Sequence, residues 1–143
     1  MQKKPEIQRW LESARVLEES IRCDLESVAA MRAAAAKTTT TLSLTGGCSV
    51  TSDRFLEDSI LNIVTEEEKI ARKTARLKTL EQEMLQLFSA LEKPEHRTLL
   101  LKRYCYGKPF SDIADEMNIS RAQVYRLHSA ALAAAERVKI ETG

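Results

Sequence analysis

The sequence predicts an all-α protein, and three observations lead to that class. The 143 residues include only four Gly and three Pro, well under the roughly 12% that these two residues average together, so turn formers are scarce. Aromatic residues make up 5% of the chain and charged residues 30%, whereas strands favour aromatic and β-branched side chains. Two segments longer than thirty residues contain no internal Gly or Pro, and both repeat apolar residues at the helical spacing. We therefore expect a few long helices with few connections.

The first of these segments runs from Pro5 to about Ala36. With Ile7 at heptad position a, the a and d positions are apolar or Ala except for Asp24. Alternating three- and four-residue spacing predicts a helix with a narrow apolar seam. The seam is formed by Ile7, Trp10, Ala14, Leu17, Ile21, Val28, Met31 and Ala35.

Residues 37–53 differ in character and are predicted to be a linker. Four consecutive Thr, residues 38–41, form helices poorly, and Gly46-Gly47 breaks regular structure. Ser52 or Asp53 is expected to cap the next helix. The two glycines are not followed by a Lys-Ser/Thr pair, so a phosphate-binding P-loop is not supported.

The second long segment, residues 54–92, carries a wider and less regular stripe. Three of its d positions are polar, namely Glu67, Thr74 and Glu81. Neither long helix can bury its stripe alone, so each must pair with the other, with a second copy or with another protein. We expect a coiled-coil-like antiparallel helical hairpin that dimerises into a bundle, which makes residues 1–92 an oligomerisation domain. The stripe comprises Leu56, Ile60, Ile63, Val64, Ile70, Leu77, Leu80, Met84, Leu87, Phe88 and Leu91.

Residues 93–143 form a separate module of shorter helices. Pro94 ends the long helix, a short amphipathic segment follows at 95–104, and Gly107 supplies a turn. A helix is predicted over 109–117, a compact break over 118–120 and a final helix over 121–139. Asn tolerates left-handed geometry and Ser120 is an N-cap, so this spacing predicts a helix-turn-helix.

A longer pattern between Leu91 and Ala135 includes Arg97, Leu99, Leu100, Arg103, Tyr104, Gly107, Ile113, Ala114, Met117, Asn118, Ile119, Ser120, Val124, Leu127, Ala130 and Leu132. This pattern resembles region four of bacterial sigma factors, the module that reads the upstream promoter element. The whole layout resembles small regulators encoded by phages and prophages of Gram-positive bacteria, including late-gene activators of the ArpU and RinA type. The resemblance implies a transcription regulator that binds double-stranded DNA in the bacterial host cytoplasm, with RNA polymerase as a possible partner.

Candidate DNA contacts follow from the helical projection of the last helix. With Val124, Leu127 and Ala131 on the buried edge, the opposite face carries Ala122, Tyr125, Arg126 and Ser129, flanked by Arg121 and Gln123. The N-terminal half of such a helix enters the major groove. Arg126 suits guanine, Gln123 adenine and Ala122 a thymine methyl. Tyr125 and Ser120 are better suited to phosphate or sugar, and Lys108 at the start of the first motif helix is expected to contact phosphate.

The charge balance predicts that DNA binding depends on assembly. Lys and Arg total 22 and Asp and Glu 21, a net charge of +1, which excludes a histone-like protein that holds phosphates by bulk charge. The segment 120–139 carries Arg121, Arg126, Arg137 and Lys139 against Glu136. Because few phosphate contacts give weak, salt-sensitive binding, we expect a homodimer through the long helices or a complex with RNA polymerase.

Other classes fit the sequence less well. No catalytic constellation stands out, so the protein is not expected to be an enzyme and no catalytic residue is assigned. The three Cys are scattered and only two His are present, so neither a metal site nor a cofactor is expected. No segment reaches the roughly 20 apolar residues of a membrane span, and no secretory signal is visible. Two functional alternatives stay open: a small terminase-like DNA-packaging subunit, and a protein that mimics a sigma factor to bind RNA polymerase.

Overall fold

The computed structural model describes residues 4–45 and 50–142, and the side chains of residues 4–37 and 54–141. Every regular element in those ranges is helical, which confirms the all-α class. The elements are α1 (Glu6–Thr45), α2 (Val50–Ser89), α3 (Pro94–Leu100) with a π-helical continuation (Leu101–Cys105), α4 (Phe110–Met117) and α5 (Arg121–Thr142).

The connection between the two long helices is shorter than predicted. The backbone of α1 continues through the Thr run to Thr45, and α2 begins at Val50, so most of the predicted linker 37–53 is helical. Ser52 and Asp53 lie inside α2 rather than capping it. Each Thr costs only a few tenths of a kcal/mol relative to Ala, whereas each residue added to a formed helix gains a hydrogen bond. The predicted break at Gly46-Gly47 falls in residues 46–49, outside the described part.

The chain divides into two compact units. The core unit comprises Met1–Val16 and Leu77–Gly143, and the helical-pair unit comprises Leu17–Arg76. The hydrophobic cluster of the core unit joins residues of α1 and α2 to residues of the three shorter helices. Members of this cluster are Ile7, Leu11, Ala14, Met84, Leu87, Phe88, Leu91, Leu99, Leu100, Ile113, Ala114, Val124, Ala131, Leu132 and Ala135.

Within the helical-pair unit, α1 and α2 run in opposite directions. Asp24 contacts Lys73 at 2.5 Å, and Arg32 further along α1 contacts Glu67, which lies earlier in α2. Lys73 Nζ also lies 2.6 Å from the Ser20 hydroxyl. The pairing with Lys73 accounts for Asp24, the one polar position in the predicted seam of α1, and its ammonium lowers the pKa of the Asp24 carboxyl.

The core of the helical-pair unit is thin. Among its described hydrophobic side chains, only Val28 and Ile63 are buried, at 7% and 9% exposure. The remaining predicted seam positions of this part of α1 (Leu17, Ile21, Met31 and Ala35) are half-buried. A two-helix pair covers one stripe of each helix and leaves the outer faces in solvent.

Candidate nucleic-acid interface

The turn between α4 and α5 is fixed by its backbone hydrogen bonds. Asn118 adopts left-handed geometry, with φ 57° and ψ 44°. Its N–H donates to Asp115 at 3.3 Å, and the N–H of Ile119 donates to Ala114 at 3.0 Å. This pattern is a Schellman motif, which ends a helix abruptly and satisfies its last carbonyls. The predicted break at 118–120 is therefore confirmed, and α5 begins directly after these three residues.

Ser120 and Gln123 cap the first turn of α5 reciprocally. The N–H of Gln123 donates to the Ser120 hydroxyl at 3.2 Å, and the N–H of Ser120 donates to Gln123 Oε1 at 2.9 Å. This arrangement is a capping box, which satisfies two otherwise unpaired donors. The sequence predicted the Ser120 cap and a base contact for Gln123, but it did not predict that Gln123 takes part in the cap. In the structure, the carbonyl end of that amide is already used by the fold.

The buried edge of α5 matches the predicted one. Val124 and Ala131 are fully buried, and Leu127 is half-buried. Ala135 and Leu132 extend this edge by another turn, at 0% and 5% exposure. The helix is therefore held in one rotational setting, which determines the residues that it presents to solvent.

His128 anchors α5 to the segment before α4. Its Nε2 lies 2.7 Å from the hydroxyl of Tyr104, and its ring meets Phe110 edge-on with centroids 5.0 Å apart. The Arg103 guanidinium stacks over Phe110 at 4.1 Å. Burial, with a smaller contribution from Arg103, lowers the pKa of His128 to about 4. Burial raises the pKa of Tyr104 to about 12, so the hydroxyl stays protonated beside a neutral imidazole.

The outward face of α5 is basic and has no acid nearby in sequence. Arg121, Ala122, Arg126 and Ser129 are exposed, and between Arg121 and Ala135 the sequence contains no Asp or Glu. Neither arginine has an ion-pair partner among the described residues. Guanidinium groups in this state are available for an anionic partner without first breaking a salt bridge.

The predicted contact residues line two different sides of α5. Gln123 and Arg126 border a cleft of about 480 Å³ together with Lys93, Glu95 and His96 at the N-terminus of α3. Tyr125 and Ser129 border a groove of about 420 Å³ on the other side, where the N-terminal residues of α1 also lie. Tyr125 is 55% exposed, but its ring packs on Phe110 with centroids 5.1 Å apart. Arg126 and the Tyr125 ring therefore lie on different sides of α5.

Lys108 is less available than the sequence suggested. Its Nζ lies 2.5 Å from Glu116 Oε1, and Lys102 approaches the same oxygen at 3.5 Å. The hydrogen bond from Lys108 is the largest cause that lowers the pKa of Glu116. A phosphate would have to compete with this carboxylate for the lysine.

Lys139 is a further basic residue whose surroundings the sequence did not reveal. Its ammonium lies 3.7 Å from the centroid of the Trp10 ring, a cation–π contact. Lys139 therefore joins the end of α5 to α1. Of the four basic residues in 120–139, the three that are exposed are Arg121, Arg126 and Arg137. The spacing of Trp10 predicted a seam residue, but nothing in the local sequence indicated this partner.

The described part of the chain shows no sign of metal binding or of a membrane span. Its His, Cys, Asp and Glu side chains form no group of three or more that could hold a metal ion. None of the described helices combines the length and apolar character needed to cross a bilayer. Cys23 and Cys105 are free thiols.

Searches of curated proteins and of solved structures return no significant match. A protein-family model matches residues 35–136, a range that includes all eight candidate contact residues together with α2, α3 and α4. The chain belongs to this family, whose description is "Protein of unknown function (DUF1492)".

Proposed function

We propose that the protein is a sequence-specific DNA-binding transcription regulator of phage or prophage genes that acts in the bacterial cytoplasm. In this proposal α4 and α5 form a helix-turn-helix, and the N-terminal half of α5 enters the major groove. The observation that carries the proposal is the N-terminal half of α5, which contains no Asp or Glu from Arg121 to Ala135 and presents two exposed arginines without an ion-pair partner among the described residues.

Each contact residue has a role suited to its chemistry. Arg126 offers a bidentate fork to guanine, and Ala122 offers a methyl contact to thymine. Arg121 at the start of α5 is suited to phosphate, which positions the helix without reading sequence. Gln123 keeps its amide N–H₂ for a base while its Oε1 accepts from the backbone of Ser120. Tyr125 and Ser129 contribute at the edge of the interface.

The protein acts as a homodimer through its long helices. With Lys139 held on Trp10, one copy offers few phosphate contacts, and each contact contributes only modestly to affinity. Two copies on adjacent half-sites double both the phosphate contacts and the base contacts. RNA polymerase bound to the same promoter would serve as an additional partner.

The test begins with selection of bound fragments from the genome of the native host, followed by titration of the enriched site. Arg126→Ala is expected to weaken binding to that site by roughly 5- to 150-fold, the range for loss of a bidentate base contact. Arg15→Ala, an exposed arginine of α1, is the matched control and should leave affinity unchanged. Equal losses in both variants, or no enriched site, would contradict the proposal. Binding of a ring-shaped oligomer to a packaging site would favour the DNA-packaging subunit instead. Binding to RNA polymerase without DNA affinity would favour the sigma-mimicking protein.

A further inference from the structure

A groove of about 420 Å³ lies within the core unit, between the N-terminal residues of α1, the start of α4 and the middle of α5. Glu136, about three turns after Tyr125 in α5, is the only lining residue with a formal charge, since the pKa of His128 is lowered to about 4. A mostly apolar groove of this volume with few polar groups is typical of a small-molecule site. Its apolar and aromatic lining includes Ile7, Phe110, Tyr125, Leu132 and Ala133.

His128 places an unpaired polar atom at the wall of this groove. Its side chain is 8% exposed, and its Nε2 is bonded to the Tyr104 hydroxyl at 2.7 Å. Nδ1 has no hydrogen-bond partner among the described residues, whose fully buried polar side-chain atoms are all satisfied. Nδ1 is therefore not fully buried, and since His128 lines the groove, a bound molecule can reach it. A largely buried polar group without a partner favours a ligand that supplies one.

Tyr125 offers an aromatic surface in the same groove. Its ring is tilted by 55° against Phe110, with centroids 5.1 Å apart, and 55% of the residue remains exposed. Arg103 stacks over the Phe110 ring at 4.1 Å and His128 meets the edge of that ring, so the support under Tyr125 is itself held in place. A flat ring in the groove can therefore stack on Tyr125, and aromatic pairs of this kind are favourable beyond their buried area.

The size and charge of the groove select the class of ligand. Two turns of an α-helix, a cylinder about 10 Å wide and 11 Å long, fill roughly 850 Å³, so a helix of another protein is too large to enter. No Lys or Arg is among the described residues that line the groove, so an anion would lose its hydration without gaining a partner. A cation would find only Glu136, far from the Tyr125 ring. A small uncharged aromatic molecule suits the lining.

We propose that this groove binds a small, uncharged aromatic molecule, whose ring stacks on Tyr125 and whose polar edge forms a hydrogen bond with Nδ1 of His128. Tyr125 and Ser129 border the groove and are also two of the proposed DNA contacts, so the bound molecule and DNA compete for them. The molecule is thus an effector that lowers the affinity for DNA. This consequence rests on the proposed function, whereas binding of the molecule does not.

The first experiment titrates the full-length protein with indole and with quinoline in the absence of DNA. Indole offers an N–H donor and quinoline a nitrogen acceptor, so one of them complements Nδ1 of His128 in either neutral tautomer. We expect saturable changes in the NMR signals of Tyr125 and Leu132, with a dissociation constant in the millimolar range for molecules of this size. One probe should also shift the Nδ1 signal. Absence of saturable binding, or binding of both probes without a change at Nδ1, would overturn the proposal.

Variants of exposed residues locate the site. Ala133→Phe fills the groove and should abolish binding, and Tyr125→Ala removes the stacking surface and should weaken binding roughly two- to tenfold. The matched controls are Ala130→Phe, on the side of α5 that borders the other cleft, and Tyr106→Ala, at a 66% exposed tyrosine outside the groove. Circular dichroism should show unchanged helicity in all four variants. Equal weakening in the variants and their controls would overturn the proposal.

The third experiment adds the DNA site enriched from the host genome. The better probe should raise the dissociation constant for that site in the parent chain but not in Ala133→Phe, a comparison that removes any effect of the probe on DNA itself. Saturable probe binding without a change in DNA affinity would overturn the effector role. Failure to enrich any DNA site contradicts the proposed function alone, because the first two experiments contain no DNA.

Discussion

The hydroxyl of Tyr104 and Nε2 of His128 form a hydrogen bond 2.7 Å long. This contact joins the π-helical turn before α4 to the middle of α5, and Phe110 closes the cluster edge-on against the same imidazole. Because His128 is 8% exposed, burial disfavours the charged imidazolium and keeps the ring neutral. The contacts that orient α5 against Tyr104 and Phe110 depend on this neutral form.

Stability should therefore fall as the pH is lowered from 6.5 toward 4. Burial lowers the pKa of His128 from 6.5 to about 4 in the folded protein, so below pH 6.5 the unfolded chain binds a proton that the folded chain does not. The resulting loss between pH 7.5 and pH 5 is about 2 kcal/mol. The pKa of His96 is also lowered by burial and acts in the same direction. Urea unfolding at the two pH values measures the difference.

The variant His128→Gln isolates this effect. Its amide can accept from Tyr104 but does not titrate, so we expect a smaller stability difference between pH 7.5 and pH 5 than in the parent. Tyr104→Phe keeps the imidazole and should keep most of the pH dependence while losing about 1 kcal/mol at both pH values. Identical pH dependence in His128→Gln and the parent would show that His128 is not the titrating group.

Leu11→Ala should destabilise the core unit even though Leu11 is far from its C-terminal helices in sequence. Leu11 is fully buried in the cluster that contains Leu99 and Val124, and such truncations cost about 2–5 kcal/mol. Hydrogen exchange should show faster opening of α5 amides, with Leu85→Ala as the exposed control. A fragment of residues 93–143 alone should lack a cooperative unfolding transition, because it has lost part of this cluster. A stable, cooperatively folded fragment would contradict this.

The left-handed geometry of Asn118 predicts how the turn tolerates substitution. Asn118→Gly should be neutral or slightly stabilising, because glycine adopts φ near 57° without steric cost. Asn118→Val should lose roughly 1–2 kcal/mol, since a branched Cβ opposes this conformation. Thermal unfolding of the two variants measures the contrast. Equal stability of both would mean that the turn rearranges at low cost.

Removing the cap of α5 should lower stability without changing the fold. Ser120→Ala deletes the acceptor for the N–H of Gln123 and is expected to cost about 1 kcal/mol. Ser120→Asp supplies another strong N-cap acceptor and should restore most of that loss. If Ser120→Ala and Ser120→Asp are equally destabilised, the hydroxyl contributes through another contact.

The sequence alone determined those features that depend on local interactions. Apolar spacing located the helices, because a repeat of 3.6 residues determines which side chains share a face. The predicted break at Asn118 and Ser120 separates α4 from α5. The buried edge of α5 also followed from its projection.

Tertiary packing decided the rest, since contacts between distant segments leave no periodic signal in either segment. That α1 and α2 contribute to the core unit, that Trp10 holds Lys139 and that Glu116 holds Lys108 each depend on partners brought together by the fold. The helical conformation of the Thr run, residues 38–41, was not predicted for a related reason. The weak helix propensity of Thr is outweighed when the residues extend a long helix that is already formed. The near absence of Gly and Pro thus predicted long helices, and the packing of their side chains determined which of their residues remain on the surface.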